Sequence, residues 1–172
     1  MSLTTIVPTE PQVAAVTIAD RARRVADDNN AVQLATLGGA WSPWILGAYF
    51  ARVPSALRAL PAESDHADLD LVLMLERHGK TYANLQIDRR VAFVVSKNDA
   101  TCDFLQGSGV AELLAPEDEA HVMAALTGKM PWFKLYTPCM PVRVAVRELF
   151  VTSFELGWMP AKRLVVRSSP PA

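Results

Sequence analysis

Apolar residues in this chain fall into short runs separated by glycine, proline and charged residues. Runs of this length, rich in valine, leucine and aromatic residues and bounded by turn residues, are typical of β-strands. We predict six strands, the first of which ends in a glycine turn, at residues 32–39, 41–53, 68–75, 91–96, 102–114 and 142–154. In the last strand, valines alternate with Arg143 and Arg147. A further edge segment is expected at 163–166.

Two of these runs indicate a barrel. Nearly every residue of 41–53 is apolar or small, so both faces of that strand should be covered, as in a closed barrel that packs on a helix or a partner subunit. Within 102–114, Gly107 and Gly109 predict a bulge or a sharp bend, which barrels need where their strands turn corners.

Helical signals are fewer than strand signals. A first helix is predicted to begin near Thr9 and to end at 28–30, and a short second helix runs to Asp88. Residues 116–128 give the clearest helix, with proline at its start, acidic residues in its first turn and Gly128 at its end. The fold class is therefore mainly β with helices, a six-stranded antiparallel β-barrel.

Composition limits the class of protein. The chain has 172 residues, 51% hydrophobic and 20% charged, which suits one domain with a sizeable core. We assign a flexible arm to 1–8, the domain to 9–156 and a C-terminal tail to 157–172. A net charge of −1 argues against nucleic-acid binding. No apolar run can cross a bilayer, no secretory signal is visible, and two cysteines make no disulfide framework, so we expect a cytoplasmic protein without membrane partners.

The densest group of hydrogen-bond donors lies between the third strand and the short helix. Arg77, His78, Lys80 and Thr81 fall within five consecutive positions there. Helix N-terminal amides next to cations favour anions, and an arginine can bind two phosphate oxygens at once. We therefore consider a phosphate site at this turn, the alternative being a solvated turn between two strands.

Other site chemistries have less support. The cysteines and histidines lack the spacing of metal ligands, so no metal site is expected. The motifs of serine hydrolases, P-loop NTPases and Rossmann enzymes are absent. Trp132, Phe133 and Tyr136 lie in a loop next to proline and are candidates for lining a substrate pocket. The aromatic residues of 41–53 are expected in the core or in a dimer interface.

Three stretches resemble the FMN-binding split-barrel family, the pyridoxamine 5′-phosphate oxidase-like proteins. Residues 34–44, with Ala-Thr-Leu, a glycine turn and a later Ser-Pro, are similar to the family's opening hairpin. Residues 77–95 are similar to its phosphate-site turn, its short helix with Asn-Leu and the strand that follows. Residues 107–114 are similar to its Gly-x-Ala-Glu-Leu strand. The resemblance implies that the barrel is an FMN-binding split barrel.

The resemblance also implies a function and a site. It implies a homodimeric flavoprotein, an oxidoreductase that passes electrons from a reduced nicotinamide through FMN to a small-molecule acceptor. The implied cofactor-binding residues are Met74, Leu75, Arg77, His78, Lys80, Thr81 and Asn84. Those of the turn would contact the phosphate, Asn84 would position the flavin or cap the turn, and Met74 and Leu75 would bond the polar edge of the ring through their backbone amides.

Two departures from the family keep alternatives open. Family members often have a basic pair in the phosphate turn, where this chain has Lys80 and Thr81. The true oxidases end in Trp- and Arg-rich motifs that residues 154–172 do not match, so pyridoxamine phosphate oxidation is not implied and no catalytic residue is assigned. One alternative is a non-catalytic module that binds flavin, haem or deazaflavin as a carrier or in a stress response. Another is an empty barrel that serves dimeric interaction.

Overall fold

The structure, a computed structural model, describes residues 16–57, 65–97, 99 and 101–167. In these residues there are three α-helices, α1 (Ile18–Asp27), α2 (Lys80–Ile87) and α3 (Glu119–Lys129). The strands are β1 (Ala31–Leu37), β2 (Pro43–Tyr49), β3 (Ala51–Arg52), β4 (Leu71–Glu76), β5 (Arg90–Val95), β6 (Phe104–Leu113), β7 (Cys139–Ser153) and β8 (Trp158–Val165). Within the described residues, each helix is too short or too polar to span a membrane.

All strands belong to one antiparallel sheet in the order β2-β1-β5-β6-β7-β4-β3, with β8 added beside β7. Its two outermost strands, β2 and β3, are separated in the chain by a single residue, Phe50. One bent segment therefore pairs with β1 through its first part and with β4 through its second part. The sheet curls round on itself as a result, and the predicted class, a mainly β antiparallel barrel with few helices, is confirmed.

The described residues form a sheet of eight strands, two more than the six predicted. The predicted strand 41–53 is divided at Phe50, which is fully buried where the pairing changes from β1 to β4. The segment expected as a C-terminal tail supplies β8, which is longer than the edge segment predicted at 163–166 and pairs with β7.

The helix boundaries also shift. The start predicted near Thr9 lies outside the described residues, and α1 begins at Ile18 because the Thr17 side chain accepts a hydrogen bond from the Asp20 amide at 3.1 Å and caps the helix. The helix predicted to stop at Gly128 is α3, which continues through that glycine to Lys129. The short second helix is confirmed as α2.

The glycine turn predicted after the first strand lies between β1 and β2, and its left-handed residues are not the glycines. Gly38 has an ordinary negative φ of −90°, whereas the left-handed positions of the turn are Ala40 and Trp41, with φ of 55° and 60°. Gly38 is needed for space, since a Cβ there would lie 2.9 Å from the side-chain oxygen of Asn84 on α2.

The interior of the barrel is filled by aliphatic and aromatic side chains of all the long strands and of α1. Its largest fully buried members include Phe50, Leu34, Leu73, Leu75 and Leu149. A second cluster lies outside the barrel wall, where Met74 and Val72 of β4 pack against Val122 and Leu126 of α3. Successive residues of β4 thus alternate between two cores, as the pleat of a strand requires.

The predicted bulge in the fifth strand is confirmed. The register of β6 against β7 shifts between Ser108 and Gly109. A Cβ on Gly109 would lie 2.6 Å from the backbone oxygen of Ala145, and one on Gly107 would lie 2.4 Å from the ring of Phe93. Both glycines are therefore places of close approach within the barrel wall.

The alternation predicted for the sixth strand does not produce an exposed polar face. Arg143 of β7 is buried, and its guanidinium donates to Asp70 at 2.7 and 3.0 Å. Asp70 is fully buried and also accepts from Arg167, near the end of β8. Burial of the arginine is possible because this carboxylate balances its charge.

Candidate functional site

A basic turn, residues 77–81, connects the end of β4 to the first turn of α2. The Arg77 amide donates to the Pro138 carbonyl at 2.9 Å, and the Gly79 amide donates to the Glu76 carbonyl at 3.0 Å. A Cβ on Gly79 would lie 3.2 Å from that same Glu76 oxygen. The compact backbone therefore places Arg77, His78 and Lys80 together at the N-terminus of α2.

The basic turn is unusual in its electrostatics. Arg77, His78 and Lys80 are exposed, and within the described residues none of them forms an ion pair. In contrast, seven arginines in other described segments contact a carboxylate: Arg21, Arg23, Arg52, Arg90, Arg143, Arg163 and Arg167. One carboxylate does lie at the turn, since a Cβ on Gly79 would be 3.6 Å from Oε2 of Glu76. It forms no ion pair with Arg77, His78 or Lys80 in the described residues, so two cations stand against one unpaired carboxylate.

Backbone donors add to this charge. Gly79 is the N-cap of α2 and has no side chain that could accept from the first turn. In the described part of the chain, the amides of Lys80, Thr81 and Tyr82 have no hydrogen-bond acceptor. These amides carry the positive end of the helix dipole, so the arrangement can hold an anion such as a phosphate or a carboxylate.

Thr81 is placed differently from the other residues of the turn. It is 3% exposed, and its hydroxyl oxygen accepts a hydrogen bond of 3.1 Å from the indole nitrogen of Trp44 on β2. The ammonium of Lys80 lies over the same indole, 4.4 Å from the ring centroid. Trp44 therefore belongs to the site, although sequence reasoning assigned it to the core or a dimer interface.

Asn84 is directed towards β1 and away from the basic turn. It lies one helical turn after Lys80, is buried, and donates to the Thr36 hydroxyl at 3.0 Å. Thr36 pairs with Trp44 in the β1–β2 register. The Asn84 side chain therefore fixes α2 against the hairpin that carries Trp44.

Met74 and Leu75 lead from the sheet into the basic turn. Their side chains are buried in the two separate cores. The whole length of β4 pairs with β7, but on its other side pairing with β3 extends only over Leu71 and Val72. In the described residues, the backbone edge of β4 from Leu73 onward has no strand partner on that side. This edge can offer amides to a ligand whose anionic group lies on the turn.

A cavity of about 360 Å³ lies elsewhere, between α1, the β5–β6 connection and the end of β7. It is lined by charged groups, including Arg24 and Lys97, and its floor is Arg21, which donates to Asp103 and Glu155. None of its lining residues belongs to the site predicted from the sequence. We therefore place the candidate site at the basic turn, whose cations form no ion pair with any described residue.

Histidines, cysteines and acids do not gather into a cation site in the part of the chain that is described: no group of three or more of them is arranged to hold a metal ion.

The loop between α3 and β7 packs against β2. Tyr49 of β2 contacts Trp132 and Phe133 edge-on, with ring centroids 5.1 and 5.9 Å apart. Tyr136 of the same loop is exposed. The loop aromatics and the strand aromatics, which were treated as separate groups in the sequence, thus form one surface.

Comparison with known proteins supports the fold. No family model and no curated protein matches the sequence. Among solved structures, a heme binding protein from Mycobacterium smegmatis is 19% identical with a TM-score of 0.66, over 89% of this chain and 60% of that one. This chain therefore spans about three fifths of the length of that protein.

Two further structures have the same fold. A putative pyridoxamine 5′-phosphate oxidase from Listeria innocua is 11% identical with a TM-score of 0.58, over 78% of this chain and 98% of that one. HutZ, a heme storage protein from Vibrio cholerae, is 17% identical with a TM-score of 0.59, over 77% of this chain and 93% of that one. The chain has the pyridoxamine 5′-phosphate oxidase-like split-barrel fold, which confirms the resemblance at the level of fold.

Proposed function

We propose that the protein binds FMN and that the phosphate of FMN lies on the basic turn. The observation that carries this proposal is the cluster of Arg77, Lys80 and the first amides of α2, which have no anionic partner in the described residues. A phosphate dianion complements two cations and a helix N-terminus. The open edge of β4 next to Met74 is suited to bonding the polar edge of the flavin ring.

A second copy of the chain is proposed to complete this site. The whole of β2 is exposed or half-buried, and it presents Ile45 and Tyr49, 66% and 47% exposed, to the outside. Ile87, the last residue of α2, is a further apolar residue that is 72% exposed. Exposed apolar surface of this kind is typical of subunit interfaces, and a homodimer would cover it and part of the flavin.

The proposed reaction is electron transfer from a reduced nicotinamide to a small-molecule acceptor. When bound, FMN supplies the hydride and single-electron chemistry. The residues of this chain would bind the phosphate through Arg77 and Lys80, orient the ring through the β4 backbone and exclude water from it with the apolar surface of β2.

Haem is a second candidate ligand, and a specific observation favours it. Two of the structures with this fold are described as a heme binding protein and a heme storage protein. The carboxylates of haem could lie on the same cations, Arg77 and Lys80, and His78 is exposed beside them. In that case the protein would hold the ligand without turning it over.

Absorbance titrations with FMN, riboflavin and haemin separate these proposals. We expect tight FMN binding by the natural protein and much weaker binding of riboflavin, which lacks the phosphate. Arg77→Ala combined with Lys80→Ala should weaken FMN about 10- to 100-fold, since each charge-assisted hydrogen bond contributes about 1.5–3 kcal/mol and part is screened. Riboflavin binding should change little.

The matched control is Lys97→Ala combined with Lys162→Ala, which removes the same charge from exposed positions outside the turn. Equal weakening of FMN by both double variants, or equal weakening of FMN and riboflavin, would contradict a phosphate site. Haemin binding without FMN binding would favour the second candidate. For the flavin-loaded protein, steady-state NADPH oxidation tests the reaction itself.

A further inference from the structure

The Trp44 indole connects a buried group to an exposed one. On one side, its N–H donates to the hydroxyl oxygen of Thr81, which is almost completely buried. On the other side, its ring lies beneath the Lys80 ammonium. Trp44 itself is 38% exposed, so it lies between the helix interior and the surface where an anion would bind.

This geometry changes the role expected of Thr81. The resemblance implied that its hydroxyl contacts the phosphate, but in the structure Thr81 is 3% exposed and its hydroxyl oxygen accepts from the Trp44 indole. The threonine is better placed to hold the indole than to hold the ligand.

Lys80 has a flexible side chain, which loses entropy when it is fixed by a ligand. A lysine whose ammonium already contacts an aromatic ring loses less entropy when a ligand binds. Trp44 can hold the Lys80 ammonium in this way only if its own ring is fixed. The hydrogen bond from Trp44 to Thr81 and the one from Asn84 to Thr36 fix the hairpin and α2 to each other.

We propose that Trp44 is a positioning residue for the anion site: Thr81 fixes the indole, and the indole holds the Lys80 ammonium at the N-terminus of α2. This inference rests on the proposed FMN site and names the group that positions one of its two cations, Lys80. The hydroxyl at position 81 acts through Trp44 and does not contact the phosphate.

The test uses Trp44→Leu, Thr81→Val and Lys80→Ala in the full chain, with Trp41→Leu as the matched control. Trp41 is an exposed tryptophan of the same hairpin whose ring contacts Arg90 and not Lys80. The measured quantity is the ratio of the riboflavin Kd to the FMN Kd, which a general loss of packing does not change. Trp44→Leu should lower this ratio about three- to fivefold, the size of an exposed cation–π contact.

Three results are expected together. Trp41→Leu leaves the ratio unchanged, Trp44→Leu has no further effect on the ratio once Lys80 is alanine, and Thr81→Val adds nothing to Trp44→Leu. If Trp44→Leu leaves the ratio at its natural value, the proposal is wrong although FMN binding stands. If Thr81→Val and Trp44→Leu have multiplicative effects, Thr81 contacts the phosphate directly and the proposal is also wrong.

A measurement without flavin separates failure of this proposal from failure of the proposed function. The indole N–H resonance of Trp44, assigned by its loss in Trp44→Leu, is followed while inorganic phosphate is added. A saturable shift that disappears in Lys80→Ala supports the proposal even if FMN does not bind. Absence of a shift in the natural protein, or an equal shift in Lys80→Ala and at Trp41, overturns it.

Discussion

Replacing Asp70 by asparagine should cause a large loss of stability without changing the shape of the side chain. Asp70 is fully buried and accepts from five N–H groups: two on Arg143 at 3.0 and 2.7 Å, the Val146 amide at 2.9 Å and two on Arg167 at 2.5 and 2.8 Å. These contacts join the start of β4 to the middle of β7 and to the end of β8.

The size of this stability loss follows from the groups that Asp70→Asn leaves without their carboxylate. Asparagine keeps one acceptor oxygen but turns an N–H₂ donor towards guanidinium donors, and two largely buried arginines lose their carboxylate. The next acid, Glu112, lies 3.5 Å from Arg143 and is 42% exposed. Removing one partner of a buried ion pair costs about 3–5 kcal/mol. With roughly 2–4 °C per kcal/mol for a chain of this size, Tm should fall by roughly 6–20 °C.

Urea unfolding followed by circular dichroism at neutral pH measures this free energy. The control is Glu148→Gln, which breaks the pair between Glu148 and Arg163 on the outer surface and should cost less than about 1 kcal/mol because exposed pairs contribute little. If Asp70→Asn loses no more stability than Glu148→Gln, the buried cluster does not hold β4, β7 and β8 together and the reasoning is refuted.

Two further predictions concern the barrel wall and the helix contacts. Gly107→Ala should destabilise by about 1–3 kcal/mol, because its Cβ would overlap side chains of β5 and β7, whereas Gly47→Ala, with no atom within 4 Å of the new Cβ, should cost far less in the same urea experiment. Burial lowers the pKa of Lys129 from 10.5 to about 8. The unfolded chain therefore binds more protons between pH 8 and 10.5, and stability should rise with pH across that window. Lys129→Met should abolish this rise, and an identical slope in both proteins would contradict it.

The sequence by itself determined the class of fold. Apolar runs bounded by glycine, proline and charge predict strands because a strand must cover its apolar face, and six such runs with few helices require a barrel or sandwich. The positions of Gly107 and Gly109 also identified the bulge, since glycine in a strand marks close backbone approach. Local chemistry likewise brought Arg77, His78 and Lys80 together, because neighbours in sequence at a helix start are neighbours in space.

Tertiary structure decided the contacts between distant segments. Alternation in β7 predicts that Arg143 points away from the valines. It cannot show that Asp70, which is far away in the sequence, lies next to Arg143 and balances its charge. The β1–β2 register places Trp44 next to Thr36, and the packing of α2 then brings it to Thr81 and Lys80. Such pairings depend on which strands become neighbours and on what the barrel excludes from water. The basic turn could therefore be identified from one short stretch of sequence. Its partner Trp44 on β2 is brought to it only by the folding of the sheet.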